Sequence, residues 1–333
     1  MSTAILSERF NHARLPGWMR LGQEVSNMTA AEAFASLGQY DTQLLPMFAE
    51  IDGQRFATGH RMIMRHPTPT SPEYKPFGVV GPGYNIVSPY DLVTTLDTAL
   101  GEQHPAVIGA PKDGQLFFVG YDMGGAVVGE PKKGDDIRNM MFVFSPYDGP
   151  GSIKIKLISL RLVCTNGMIA AKTTQSYVLR HGVDVVKQLE RWLTGLWPKA
   201  IERNAELLAS YNLMTQRRLT EAQALRFTEQ LLPIPNHPKA TPVAAVNDTR
   251  LQDWEYRAAR VEEDRAGIMR LARGEGWGID TAAAAGTAWG WWNSVVEYYD
   301  HGKDGRNVNG LVADALFGKA AEKKEEAYAL ALR

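Results

Sequence analysis

Between Asp135 and Lys172 the chain reads DDIRNMMFVFSPYDGPGSIKIKLISLRLVCTNGMIAAK, and this run constrains the fold more than any other. Met140 to Phe144 is apolar, Ser145 to Ser152 holds two prolines and two glycines, and Ile153 to Cys164 is apolar again. Apolar runs flanking a proline–glycine turn predict strand, turn and strand. Thr165-Asn166-Gly167 before Met168-Ile-Ala-Ala then predicts a strand-to-helix turn, with Thr165 or Asn166 capping the helix and leaving backbone N–H groups open to an anion.

The flanking chain supplies further strands and then helices. Asp52-Gly53 predicts a hairpin between Leu44–Phe48 and Gln54–Arg65, because both turn residues tolerate positive φ. Thr29 with Glu32 and Thr220 with Gln223 are capping-box pairs, and Ser88 before Pro89 starts a helix whose stripe is Leu92, Leu96 and Leu100. Asp113-Gly114 marks a turn between the strands Val107-Ile108 and Gln115–Asp122. From about Asp184 to Leu213 an apolar stripe predicts a helix, with Pro198 as a kink or boundary. Residues 233–249 hold four prolines and read as a linker, and the remainder of the chain reads as helical.

The expected architecture is therefore α+β, an antiparallel β-sheet packed against helices with a helical C-terminal region. The expected divisions are an arm with a short helix over 1–40, a core domain over 41–232, the linker over 233–249 and helices over 250–333.

At 333 residues the chain can bury a sizeable core. Its one cysteine, Cys164, excludes an internal disulfide and a thiolate zinc site. No apolar run approaches the roughly 20 residues that span a bilayer, and the N-terminal residues lack a signal-like segment. A cytoplasmic protein with no membrane partner is expected.

The net charge is −1, so attraction to nucleic acid must come from a local patch. One exists: no acidic residue falls between Asp148 and Asp184, where the average content predicts about four, while Lys154, Lys156, Arg161, Lys172 and Arg180 all fall inside. Alternation puts Lys154 and Lys156 on one strand face. Beyond Leu157 the alternation blurs, which either a β-bulge there or burial on both faces would explain. A basic strand with Tyr147 and Tyr177 nearby suits a single strand of DNA, its phosphates on the cations and its bases on the rings. The plainer reading makes the lysines a solvated face, Arg161 an ion-paired scaffold residue and the tyrosines core edges.

Other constellations point elsewhere. The seven histidines form no HExxH, no GxSxG elbow or P-loop is present, and the glycines between Gly120 and Gly129 lack the dinucleotide spacing. Trp289, Trp291, Trp292, Tyr298 and Tyr299 fall at helical spacing and suit core or subunit packing.

The order Gly78-Val-Val-Gly…Tyr84, Leu116-Phe-Phe-Val…Asp122, Phe142…Asp148-Gly149, Arg161-Leu-Val-Cys-Thr-Asn-Gly167, Glu297-Tyr-Tyr-Asp-His301 and Ala315-Leu-Phe-Gly318 resembles the phage/plasmid-like family catalogued as domain of unknown function 932. The resemblance covers roughly residues 40–330 and implies a phage, prophage or plasmid origin, with no activity to carry over. More remotely, the strand–strand–strand–helix core is similar to single-strand annealing recombination proteins. The expected function is a single-stranded DNA-binding protein that promotes annealing or protection in replication or recombination, as a homo-oligomer. Lys154, Lys156, Arg161, Lys172 and Arg180 would hold phosphates, Asn166 would cap the turn, and Tyr147 or Tyr177 would stack. No metal, cofactor or catalytic residue is required. The alternatives are a metal-dependent phage enzyme acting on nucleic acid or nucleotides, and a protein that inhibits a host system.

Overall fold

Two residues close the first long hairpin. Asp52 and Gly53 both adopt positive φ, at 51° and 75°, the conformation a two-residue turn needs if it is to match the twist of its strands. They join β1 and β2 of the three-stranded antiparallel sheet, Thr42–Ile51 and Gln54–Arg65, and β3, Lys75–Val80, pairs with β2 on its other side. Between the pairs Pro46↔Arg61 and Phe48↔Ala57, three residues of β2 face one of β1. Gly59 takes φ 75° inside that bulge, and the Thr58 hydroxyl donates to the Met47 carbonyl at 3.0 Å.

The computed structural model describes residues 22–69, 71–129, 135–161, 166–168, 176–238, 249–301, 314 and 318–333. A second, larger sheet runs in the order Gly22–Glu24, β4 (Pro105–Gly109), β5 (Leu116–Val128), β6 (Asp135–Pro146), β7 (Ile153–Arg161) and β8 (Ser176–Leu179). With helices beside antiparallel sheets and further helices towards the C-terminus, the fold is α+β. Among the described residues no helix is long and apolar enough to cross a membrane.

The two predicted capping boxes form, and Ser88, expected only as a cap, completes a third with Asp91. Thr29 and Glu32 exchange side-chain to backbone bonds at the start of α1, Ala30–Ser36. Ser88 and Asp91 do so at α2, Pro89–Leu100, and Thr220 and Gln223 at α4, Glu221–Leu231. Each box satisfies two backbone donors that a helix start otherwise leaves open. The carboxylate of Asp97 on α2 takes two more, accepting from Ala30 N at 2.7 Å and Ala31 N at 3.0 Å. The helix α3, Val185–Gln216, continues through Pro198, where the sequence predicts a kink or boundary.

Contacts divide the chain into two compact units. The first takes the described residues within Met1–Gly125, Arg138–Leu160 and Lys172–Glu206, and the second those within Ala126–Ile137, Arg161–Ala171 and Leu207–Arg333. Among the described residues the chain crosses between the units within β5, β6, β7 and α3, and 233–238 of the proline-rich stretch is irregular. The first core centres on Phe34, Tyr40 and Phe117, whose rings meet edge to face at 5.3 to 6.4 Å. The second is built around α6, Ala288–His301, with Trp289 and Trp292 against Tyr211 at 5.2 and 5.4 Å. α5 (Thr249–Arg270) and α7 (Lys319–Leu332) belong to the same unit. The tryptophan-rich helix is core, as its spacing predicts.

Gly78 shows how closely backbone meets backbone in the first unit. A Cβ there would lie 2.3 Å from the Asp148 carbonyl oxygen, whereas one at nearby Gly81 would meet nothing within 4 Å. Gly78→Ala is expected to cost about 1–3 kcal/mol and Gly81→Ala less than about 0.5 kcal/mol in chemical denaturation.

Candidate nucleic-acid interface

The basic strand comes first. β7 carries Lys154 and Lys156 and is buried from Ile155 to Arg161 without alternation, so burial on both faces accounts for the blurred pattern near Leu157. Lys156 is only 6% exposed. Lys154 is half-buried opposite Val178 of β8; desolvation pulls its ammonium pKa below the usual value, and the Asp148 carboxylate opposes that pull. Arg180, just past β8, is exposed. Tyr177 is half-buried, its ring edge-to-face with Trp192 at 5.1 Å.

Two expected contacts change character. Tyr147 is fully buried in the first core, so its ring cannot stack on a base, and burial pushes its phenol well above the usual pKa. Asn166 lies in a short strand, Asn166–Met168, and not at a helix start, so its backbone does not offer the open N–H groups of a first helical turn. Lys172, like Thr165 and Cys164, lies outside the described residues.

Arg161 is the largest departure. It belongs to the second unit and is 1% exposed. Its Nη2 and Nε reach Asp135 Oδ2 at 2.5 and 2.8 Å, Nη1 donates to the Trp277 carbonyl at 3.1 Å, and Nη2 to the Gly278 carbonyl at 2.7 Å. Trp289 Nε1 donates to the same Asp135 oxygen at 2.7 Å. A guanidinium so enclosed has its charge answered inside the protein, and a phosphate could reach it only after the pair is broken.

The surface that does present aromatic rings lies elsewhere in the first unit. At the β1–β2 hairpin every residue from 51 to 60 is exposed. Phe48 is 49% exposed and Phe56 48%. The register Phe48↔Ala57 and Ala49↔Phe56 puts the two rings on opposite faces. The Arg55 guanidinium stands over the Phe48 ring, 5.0 Å from its centroid. Tyr74, before β3, is exposed and meets His66 at 5.5 Å. At the base of the hairpin the Arg61 guanidinium donates to the carbonyls of Pro82 and Tyr84. The signal for this surface in the sequence is a hairpin turn flanked by strands apolar on both faces, which cannot both pack inward.

Beneath lies a polar cluster. Tyr84 stacks on His181 at 4.8 Å, and Asn85 N donates to the His181 carbonyl at 3.1 Å. Neither ring nitrogen of His181 nor the Tyr84 hydroxyl finds a hydrogen-bond partner. Desolvation lowers the imidazole pKa to about 4, with smaller opposing effects from the Asn85 backbone and Asp148. Burial likewise raises the Tyr84 phenol. Among the described residues no three or more His, Cys, Asp or Glu side chains gather as a metal site.

The family model described as Domain of unknown function (DUF932) matches residues 76–321, so the chain belongs to that family. No curated protein and no solved structure matches it.

Two measurements test this geometry. Arg161→Met strands the Asp135 carboxylate in a buried setting and is expected to cost about 3–5 kcal/mol in urea unfolding, with Asp135→Leu added to it recovering much of the loss. His181 is neutral when folded near pH 6, with its folded pKa below the unfolded 6.5, so the unfolded chain binds the extra proton. Its contribution is complete above pH 6.5 and is lost as pH falls from 6.5 towards 4. Urea unfolding at pH 7.5 and 4.5 is expected to differ by about 2 kcal/mol less in His181→Phe than in the unaltered chain.

Proposed function

We propose that the chain binds single-stranded DNA, and promotes its annealing or protection, through the β1–β2 hairpin of the first unit. The observation that carries this reading is the exposure of Phe48 and Phe56 on opposite hairpin faces, with a guanidinium over one ring. Exposed rings accept any base by stacking, at about 1–3 kcal/mol per base, and a neighbouring cation can neutralise a phosphate. On this reading Arg55 is the hairpin's phosphate contact, with Arg180 and the half-buried Lys154 as further candidates at the edge of the larger sheet. A phage-type setting, implied by the family resemblance, is part of the proposal.

A second reading has its own support. Leu45, Phe48, Ile51, Phe56 and Val79 are all exposed on the three-stranded sheet, and side chains of this kind also suit contact between copies of the chain. Homo-oligomerisation and DNA binding are compatible, since many copies along a strand add their contacts.

Fluorescence anisotropy with a labelled oligothymidylate at about 50 and 200 mM salt separates them. Phe48→Ala with Phe56→Ala is expected to weaken binding roughly tenfold or more, and Arg55→Gln to lower the salt slope by about one. No binding at low salt, or binding untouched by the double substitution, overturns the DNA reading. Light scattering that shows the same variant losing an oligomer, with no DNA affinity in either form, favours the self-association reading.

A further inference from the structure

We propose that the second unit holds a binding site for a small aromatic acid, in the cavity between the start of α4, the turn Leu271–Glu275 and the start of α6. The cavity measures about 230 Å³, and every residue that lines it belongs to the second unit. A cavity of about 150 Å³ holds benzene, so this one takes roughly nine heavy atoms, the size of benzoate or indole.

Its inner wall is apolar. Ala224, Met269, Ile279, Ala284 and Trp291 line it. The polar groups among the walls are turned to internal partners: Trp291 Nε1 donates to Thr228 Oγ1 at 2.9 Å, and the Thr287 hydroxyl donates towards the carbonyls of Ala283 and Ala284 at 2.8 and 3.0 Å. What remains for a ligand is an indole surface, a thioether and methyl groups, which favour a flat, polarisable ring.

The mouth is charged. Arg273 Nε and Nη2 both sit on Glu221 Oε1, at 2.9 and 2.8 Å, and both side chains are more than half exposed. Such an exposed pair is worth little to stability, so a ligand carboxylate can take the place of Glu221 on the guanidinium fork. Glu221 loses little by the exchange, because it lies in the first turn of α4, where the helix dipole favours an anion.

Backbone geometry points the same way. Leu271–Glu275 is a single π-type turn that contains Gly274 at φ 144°, a conformation reserved for glycine. The turn closes the C-terminal end of α5, with Gly276 N on the Leu271 carbonyl at 3.0 Å, and brings Ala272 and Arg273 to the rim. The opposite wall is pinned, with Leu219 N on the Gly286 carbonyl at 3.0 Å and Ala288 N on the Arg217 carbonyl at 2.9 Å. The ring of the ligand enters against Trp291 and Met269, and its carboxylate stays at the mouth on Arg273.

Isothermal titration of the full chain with benzoate and with indole tests the site. Both probes are expected to bind saturably. Arg273→Gln, an exposed substitution that leaves the fold intact, is expected to weaken benzoate about tenfold and leave indole unchanged. Ala224→Met, which fills the cavity, is expected to abolish both; should it fail to fold, the Arg273→Gln comparison decides alone. Absence of saturable binding by either probe, benzoate binding equally well to Arg273→Gln, or binding that survives in folded Ala224→Met overturns the proposal.

Discussion

A buried positive charge has to be answered, and in the second unit the answer is Asp135. Its Oδ2 takes two contacts from the Arg161 guanidinium and one from the Trp289 indole, while the backbone carbonyls of Trp277 and Gly278 accept from Nη1 and Nη2. Attraction at these distances in a water-poor interior helps offset the desolvation of both charges, with these contacts converging on Oδ2 while Oδ1, among the described residues, stays buried without a partner. The arrangement ties the ends of β6 and β7 to the irregular segment before α6 and to α6 itself. A second fully buried pair, Lys324 with Asp300 at 2.7 Å, links α7 to α6 in the same unit. The Trp292 indole adds a bond to the Lys324 carbonyl at 3.1 Å. Charged and indole groups thus set the positions of helices whose apolar faces alone would tolerate several packings.

The same pair redirects the functional reading. A basic strand is a surface for phosphates only where its cations face water, and in β7 they largely do not. Exposure moves to the β1–β2 hairpin, where rings rather than a row of cations are presented. Under the proposed function, contact there would rest on stacking with a modest ionic contribution, in keeping with a net charge close to zero.

Local features are legible in the residues alone. The helix caps at Thr29, Ser88 and Thr220 and the turns at Asp52-Gly53 and Asp113-Gly114 each depend on residues within four positions of one another, and each forms. The family resemblance also rests on short motifs and is matched over residues 76–321. The candidate site is much less accessible from sequence. Arg161 looks like one more cation in an acid-free window because its partner lies 26 residues earlier and its carbonyl acceptors 116 and 117 residues later. Tyr147 looks like a stacking ring because nothing nearby in sequence shows that the first core closes over it. Asn166 looks like a helix cap because Thr-Asn-Gly suits a cap, yet strand pairing wins at that position.

The amino-acid sequence by itself determined the α+β class, the capped helix starts at Thr29, Ser88 and Thr220, the tight turns and the family, since these rest on backbone preferences and short local motifs. Tertiary structure alone decided which charges meet water, which aromatic rings stay outside and how the chain divides into two units. Burial depends on segments far apart in the chain: Phe48 and Phe56 remain exposed and Tyr147 does not, although all three are aromatic residues in or beside β-strands.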